Sequence, residues 1–232
     1  MEFKSPLQEG IFLKRYKRFF ADIEWKGEVI TAHVANTGSL KTCSEPNSPC
    51  LFTVHDDPKR KLKYSLEMIK APSGSWVGIN TSVPNALVKK ALTEKILNHW
   101  EGWSEVHPEF KINDETRLDF RLSNGKKHHY IEVKNVTLAR DGHAQFPDAE
   151  TTRGQKHLKE MMSLMKEGHS AELVFVIQRE DCKAFAPAED IDPAYGKLLR
   201  EAVKSGMRVT AMTTKLSPSG ICLTGEVLKV VL

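Results

Sequence analysis

The sequence predicts a two-part α+β chain, a small β-barrel over residues 1–80 followed by a larger α/β domain over residues 81–232. Three observations carry this. The first 80 residues hold five strand-like runs with no helical period between them, apolar residues fall into helical spacing directly after Asn80, and the elements then alternate as α, β, β, β, α, β, α, β.

The five runs are GIFLKRYKRFFADIEW, EVITAHVAN, CLFTVHD, YSLEMIK and WVGIN, punctuated by turn signals at Lys26-Gly27 and Pro72-Ser73-Gly74. Five short strands in so few residues fit a closed barrel of the OB type, which commonly binds nucleic acids. In the first run, Lys14, Tyr16 and Arg18 fall on one strand face and Arg15 and Lys17 on the other. Cations alternating with an aromatic suit a strand that tracks phosphates and stacks bases, and they equally suit a solvated edge strand. The loop Asn36-Thr37-Gly38-Ser39 could offer backbone amides to a phosphate or serve as a plain turn.

After Asn80, Thr81-Ser82 offers a cap, Pro84 suits a first helical turn, and Val88, Ala91, Leu92 and Ile96 form an apolar stripe, predicting a helix over 84–99. Strands follow at about 105–111, 117–122 and 129–137. A second helix is expected over 151–168, capped by Asp148 or Thr151, with Leu158, Met161, Met162 and Met165 as its buried stripe and Gly168 as its stop. LVFVIQR, residues 173–179, is nearly all apolar, as in a strand covered on both faces. A helix over 193–205, a strand over 207–213 and a hairpin around Ser217 to Gly220 complete the chain.

The 34 basic and 30 acidic residues leave a formal charge of only +4, so attraction to polyanions must come from local patches. The excess lies mainly in the first 80 residues, with 12 basic against 9 acidic there and 22 against 21 in the remainder. Cys43, Cys50, Cys182 and Cys222 show neither CxxC pairing nor zinc-ligand spacing. No 18-residue apolar run and no signal-type apolar segment occurs, so a soluble cytoplasmic protein without a membrane span is expected.

The chemistry concentrates in RLDFRLSNGKKHHYIEVKNVTL, residues 117–138. Asn124-Gly125 signals a hairpin turn. If these two residues form the loop, Asp119 lies diagonal to Glu132. A four-residue loop from Asn124 to Lys127 would instead set Asp119 directly opposite Glu132, and either register keeps Asp119, Glu132 and Lys134 on one face. Leu118, Phe120, Leu122, Ile131 and Val133 then form the opposite, apolar face. Two carboxylates so placed can share Mg²⁺ or Mn²⁺, while Lys134 orients an attacking water or offsets charge on a phosphoryl group.

The order helix, three-stranded meander, helix, strand resembles the PD-(D/E)xK restriction-endonuclease-like αβββαβ core, whose motif Asp119, Glu132 and Lys134 match, with Leu118 where a proline is usual. Such cores often add an acidic residue, for which Glu94 and Glu109 are candidates if they are not simply solvent-exposed. NTGSL, RLDFRL, YIEVKNVTL and FPDAETTRGQKHLKEM, in this order and spacing, resemble the sugar fermentation stimulation protein family over nearly the whole chain. That resemblance implies an N-terminal OB-like domain, a C-terminal nuclease-like domain, DNA binding of low sequence specificity, and a regulatory role in sugar metabolism. The alternative is an active Mg²⁺- or Mn²⁺-dependent nuclease. In the nuclease-like arrangement Arg153, Gln155 and Lys156, on the first turns of the second helix, would face phosphate, and His157 would pack or hydrogen-bond.

Overall fold

The computed structural model describes residues 1–3 and 6–232. Strands β1 (Gln8–Tyr16), β2 (Phe20–Trp25), β3 (Glu28–Val34), β4 (Ser48–Val54), β5 (Tyr64–Lys70) and β6 (Trp76–Gly78) form one sheet in the order β3-β2-β1-β4-β5-β6. A parallel pairing of β3 with β5, Ala32 opposite Tyr64, closes the first five into an OB barrel. Phe12, Ile23, Val34, Phe52, Leu66 and Ile69 fill its interior.

The first strand-like run divides. Lys17 and Arg18 take positive φ, 46° and 62°, so the chain turns after Tyr16 and returns as β2. An irregularity between Phe12 and Lys14 also interrupts the alternation of faces on which the basic-strand reading relied.

The second sheet carries nine strands in the order β10-β11-β13-β15-β14-β12-β9-β8-β7. They are β7 (Glu105–Lys111), β8 (Arg117–Asn124), β9 (Lys127–Val136), β10 (Leu138–Arg140), β11 (His143–Phe146), β12 (Ser170–Ile177), β13 (Ala184–Pro187), β14 (Arg208–Ser217) and β15 (Gly220–Val230), with helices α1 (Val83–Thr93), α2 (Thr152–Lys166) and α3 (Pro193–Lys204). The core order αβββαβ is thus present, with the β10–β11 hairpin inserted before α2.

Strand β12 pairs in parallel with both β9 and β14, and its apolar run is buried on both faces. Val174 and Val176 join Val88, Leu92, Ile131 and the barrel's Leu51 and Met68, whereas Leu173, Phe175 and Ile177 meet Leu158, Met161 and Leu199 of α2 and α3. The helix expected over 84–99 stops early. Glu94 caps it, Lys95 takes φ +52°, and Asn98–Trp100 form a separate 3-10 turn. That turn delivers Trp100 Nε1 to Glu172 Oε2 at 2.9 Å. Glu172 is wholly buried and also accepts from His99 and His129 at 3.0 Å and from Thr210. Burial works against the charge, but the hydrogen bonds from His129, His99 and Thr210 outweigh it and hold the carboxyl well below the usual range.

Barrel and second sheet are stitched together. Gly78 N donates to Gln178 O at 2.9 Å, and Arg179 Nη1 donates to Thr137 O at 2.7 Å and to Thr42 Oγ1 at 3.3 Å. Among the described residues no helix is long and apolar enough to cross a membrane, and the four cysteines are free.

Candidate functional site

The hairpin fixes the site. Phe120 pairs with Ile131 and Asn124 with Lys127, the register that sets Asp119 across from Glu132. Gly125 alone of the turn residues has positive φ, 60°, so the loop centres on Gly125-Lys126 rather than on Asn124-Gly125. Asn124 instead closes the turn from outside, its Nδ2 donating to Gly102 O at 2.8 Å.

Beyond Phe120 the ladder ends, and Asp119 uses its side chain in place of its backbone. Val133 N donates to Asp119 Oδ2 at 2.7 Å, and Asn85 Nδ2, from the first turn of α1, donates to Oδ1 at 2.7 Å. Burial, and then the charge on Glu132, push the Asp119 carboxyl up to about 6. Glu132 is only 4% exposed. Burial opposes its charge too, but the adjacent Lys134 ammonium and a hydrogen bond from His157 outweigh that, holding it down at about 2. Lys134 Nζ lies 2.6 Å from Glu132 Oε1.

His157, on α2, meets the same Oε1 through Nδ1, while Arg153 Nε approaches His157 Nε2 at 3.4 Å. Arginine can only donate, so Nε2 accepts and Nδ1 is the protonated nitrogen. The chain Arg153, His157, Glu132 thereby fixes the glutamate's orientation. Its second oxygen, Oε2, is buried and has no hydrogen-bond partner.

Asn85, Asp119, Glu132, Lys134 and Arg153 line a cleft of about 520 Å³ between the two sheets, with His157 behind Glu132. The barrel contributes Arg18, Asn36, Thr37 and Gly38, the β11–α2 turn contributes Pro147, Asp148 and Glu150, and the first turn of α2 contributes Arg153. Thr151 caps α2 by accepting from Gly154 N at 3.0 Å. Asp148 makes a different contact: it accepts from Leu40 N at 3.3 Å and packs so closely on Gly38 that a Cβ there would lie 2.3 Å from its Oδ2. Only glycine fits this seam.

The other expected residues divide between the cleft and elsewhere. Glu94 pairs with Lys90 at 3.7 Å and Glu109 with Arg117 at 3.8 Å, both on the surface and outside the cleft. Neither supplies a third carboxylate. The position on α1 that reaches the centre is Asn85, in the helix's first turn, where sequence offered no acidic signal.

Gln155 donates to Asp192 at 3.0 Å, and Lys156 pairs with Glu115 at 2.7 Å, so neither lines the cleft. Arg15 turns inward, donating to Gly38 O at 2.7 Å and Asn36 O at 2.5 Å, and shapes the loop. Lys14 and Tyr16 both engage Asp22, at 3.4 and 3.1 Å, and Lys17 is exposed in the turn. Asn36 folds its own loop, Oδ1 accepting from Gly38 N and Nδ2 donating to Ile79 O, each at 2.7 Å. The amides of Gly38 and Leu40 are therefore engaged within the protein.

The donor set fits a hard divalent cation. Among the described residues no cluster of three His, Cys, Asp or Glu side chains forms an all-protein cage. Two carboxylates with open lone pairs, an unpartnered Glu132 oxygen and a repulsion that Lys134 offsets only in part at Asp119 suit a cation that keeps waters and takes further ligands from phosphate.

A model of the SfsA N-terminal OB domain matches residues 13–79, and one of the sugar fermentation stimulation protein RE domain matches residues 82–220. The chain belongs to the sugar fermentation stimulation protein family. It is 57% identical over 239 residues to the sugar fermentation stimulation protein homolog of Bdellovibrio bacteriovorus, covering 98% of each chain. It is 44% identical over 227 residues to that of Geotalea uraniireducens, covering 97% of this chain and 98% of the relative. Among solved structures it is similar to Pyrococcus furiosus SfsA in complex with Ca²⁺, with a TM-score of 0.89 and 29% identity over 100% of this chain and 98% of the other. Family membership, the OB barrel and the mixed second sheet agree with the expectations from sequence.

Proposed function

We propose that this family member binds DNA with low sequence specificity, seating backbone phosphate in the cleft at a divalent cation held by Asp119 and Glu132. The observation that carries this reading is Glu132: a buried carboxylate lining a cleft with one oxygen unpartnered, flanked by Lys134, Arg153 and Arg18. Asp148 and Glu150 line the same cleft, so these three cations face four carboxylates, and an anionic ligand is seated by bringing its own oxygens to a bound metal. Phosphate contacts of this kind carry no base information. The Ca²⁺ complex of Pyrococcus furiosus SfsA supports an oxygen-ligand cation. The relatives' name associates them with sugar fermentation, and a regulatory role through DNA binding is the reading compatible with it.

A fluorescence anisotropy titration with labelled DNA tests this. Affinity should fall steeply with salt, by roughly tenfold or more between 50 and 200 mM for a few neutralised phosphates, and should vary little with sequence. Absence of binding at low salt would remove the proposal.

Hydrolysis is the second reading, favoured by the same three residues, Asp119, Glu132 and Lys134. A bound Mg²⁺ or Mn²⁺ would supply charge neutralisation at the phosphoryl oxygens and acidify an attacking water. Asn85 and the Val133 amide orient Asp119, His157 orients Glu132, and Lys134 holds a positive charge beside the phosphoryl group. Incubation with DNA and Mn²⁺ tests it, and cleavage that persists in Lys134→Ala would assign the activity to a contaminant.

A further inference from the structure

Two features bear on which form of DNA the cleft admits. The first is depth. Glu132 is 4% exposed at the floor of a cleft of about 520 Å³, the size of a small-molecule pocket rather than of a duplex groove. One side of the cleft is sewn shut by Asp148 against Gly38 and Leu40, and Arg179 ties the following barrel residue Thr42 to Thr137.

The second is the turn between β1 and β2. Arg18 lines the cleft, and the next residue, Phe19, is 43% exposed, with its amide and carbonyl pinned by Lys17 O and Val34 N at 2.8 Å each. An exposed aromatic ring on a hydrogen-bonded turn, next to an arginine that lines the cleft, is an arrangement on which an unpaired base stacks.

Resting on the DNA reading above, we infer that the cleft selects an unpaired strand, with a base stacked on Phe19 and the adjoining phosphates led past Arg18 to Asp119 and Glu132. Bending a duplex sharply within a site of roughly 20–30 base pairs carries an elastic cost. Dipping one of its phosphates to so deep a floor carries that cost, and its paired bases offer Phe19 no free face. A flexible single strand meets both demands.

The test compares a labelled single-stranded oligonucleotide with its blunt duplex, in Ca²⁺ at low salt, by anisotropy. The expected result is binding of the single strand about five- to hundredfold tighter, the range one base stack provides. Phe19→Ala should lose a similar factor on the single strand, and Phe19→Trp should retain affinity. Equal affinities for the two forms would overturn the inference and leave the DNA reading standing. Single-strand affinity unchanged in Phe19→Ala would overturn the stacking contact, and binding to neither form would overturn both readings.

Discussion

Replacing Asp119 by asparagine should stabilise the fold while abolishing cation binding. The carboxyl rises from 3.8 to about 6 in the folded chain, so the folded state holds its proton more tightly than the unfolded state does. The associated stability is complete below pH 3.8 and is lost as pH rises through about 6. Above that, ionised Asp119 costs about 3 kcal/mol relative to the acid limit. Asparagine does not ionise and removes the repulsion with Glu132. It can keep one of the two hydrogen bonds outright and the other if Asn85 turns its amide over, returning about 1 kcal/mol.

A net gain of about 1–3 kcal/mol at pH 8 follows, which raises Tm by roughly 2–12 °C for a chain of this size. Circular dichroism melts in EDTA at pH 8 and pH 4 measure it, and the difference should shrink at the lower pH. Added Mn²⁺ should raise Tm of the wild type by mass action and leave the variant unmoved. A lower Tm for Asp119→Asn at pH 8, or a pH-independent difference, would refute the reasoning.

Glu172→Gln keeps volume but removes the charge that organises His99, His129, Trp100 and Thr210, and should cost about 3–5 kcal/mol in chemical or thermal unfolding. Because the Glu172 carboxyl is depressed, its stabilisation is full above its ordinary 4.5 and fades as pH falls, so the variant should show a flatter acid limb. Gly38→Ala forces a methyl onto the Asp148 carboxylate and should cost about 1–3 kcal/mol. Adding Asp148→Ala should recover part of that loss, a coupling that a double-mutant cycle reads. Asp192→Ala removes the cap on Tyr195 N and the acceptor for Thr151 N and Gln155, with an expected loss of about 2–3 kcal/mol in urea melts.

What could be read from sequence depended on how local its cause was. The convergence of Asp119, Glu132 and Lys134 follows from strand alternation and a short turn, and the apolar Leu173 to Ile177 run announces a doubly covered strand. Contacts made across the fold left no such trace. Nothing local to α1 marks Asn85 as the partner of Asp119, and nothing in FPDA says that Asp148 turns to the barrel while Thr151 caps the helix.

Glu94 and Glu109 had suitable chemistry, but exposure decides their role and is set by how far α1 extends and by the irregular backbone of β7, where Glu109 has φ +51°. Arg15 looked like its neighbours Lys14 and Lys17 and is instead a buried-side clamp on the Asn36 loop. The short strands β10, β11 and β13, three or four residues each, are too brief to carry a periodic signal.

The most direct measurement is DNA affinity with Ca²⁺ and with EDTA, in the wild type and in Glu132→Gln. If Asp119 and Glu132 hold a cation against backbone phosphate, Ca²⁺ should tighten wild-type binding and leave the Glu132→Gln variant unchanged. Affinities that are the same with and without the cation in both proteins would contradict the account.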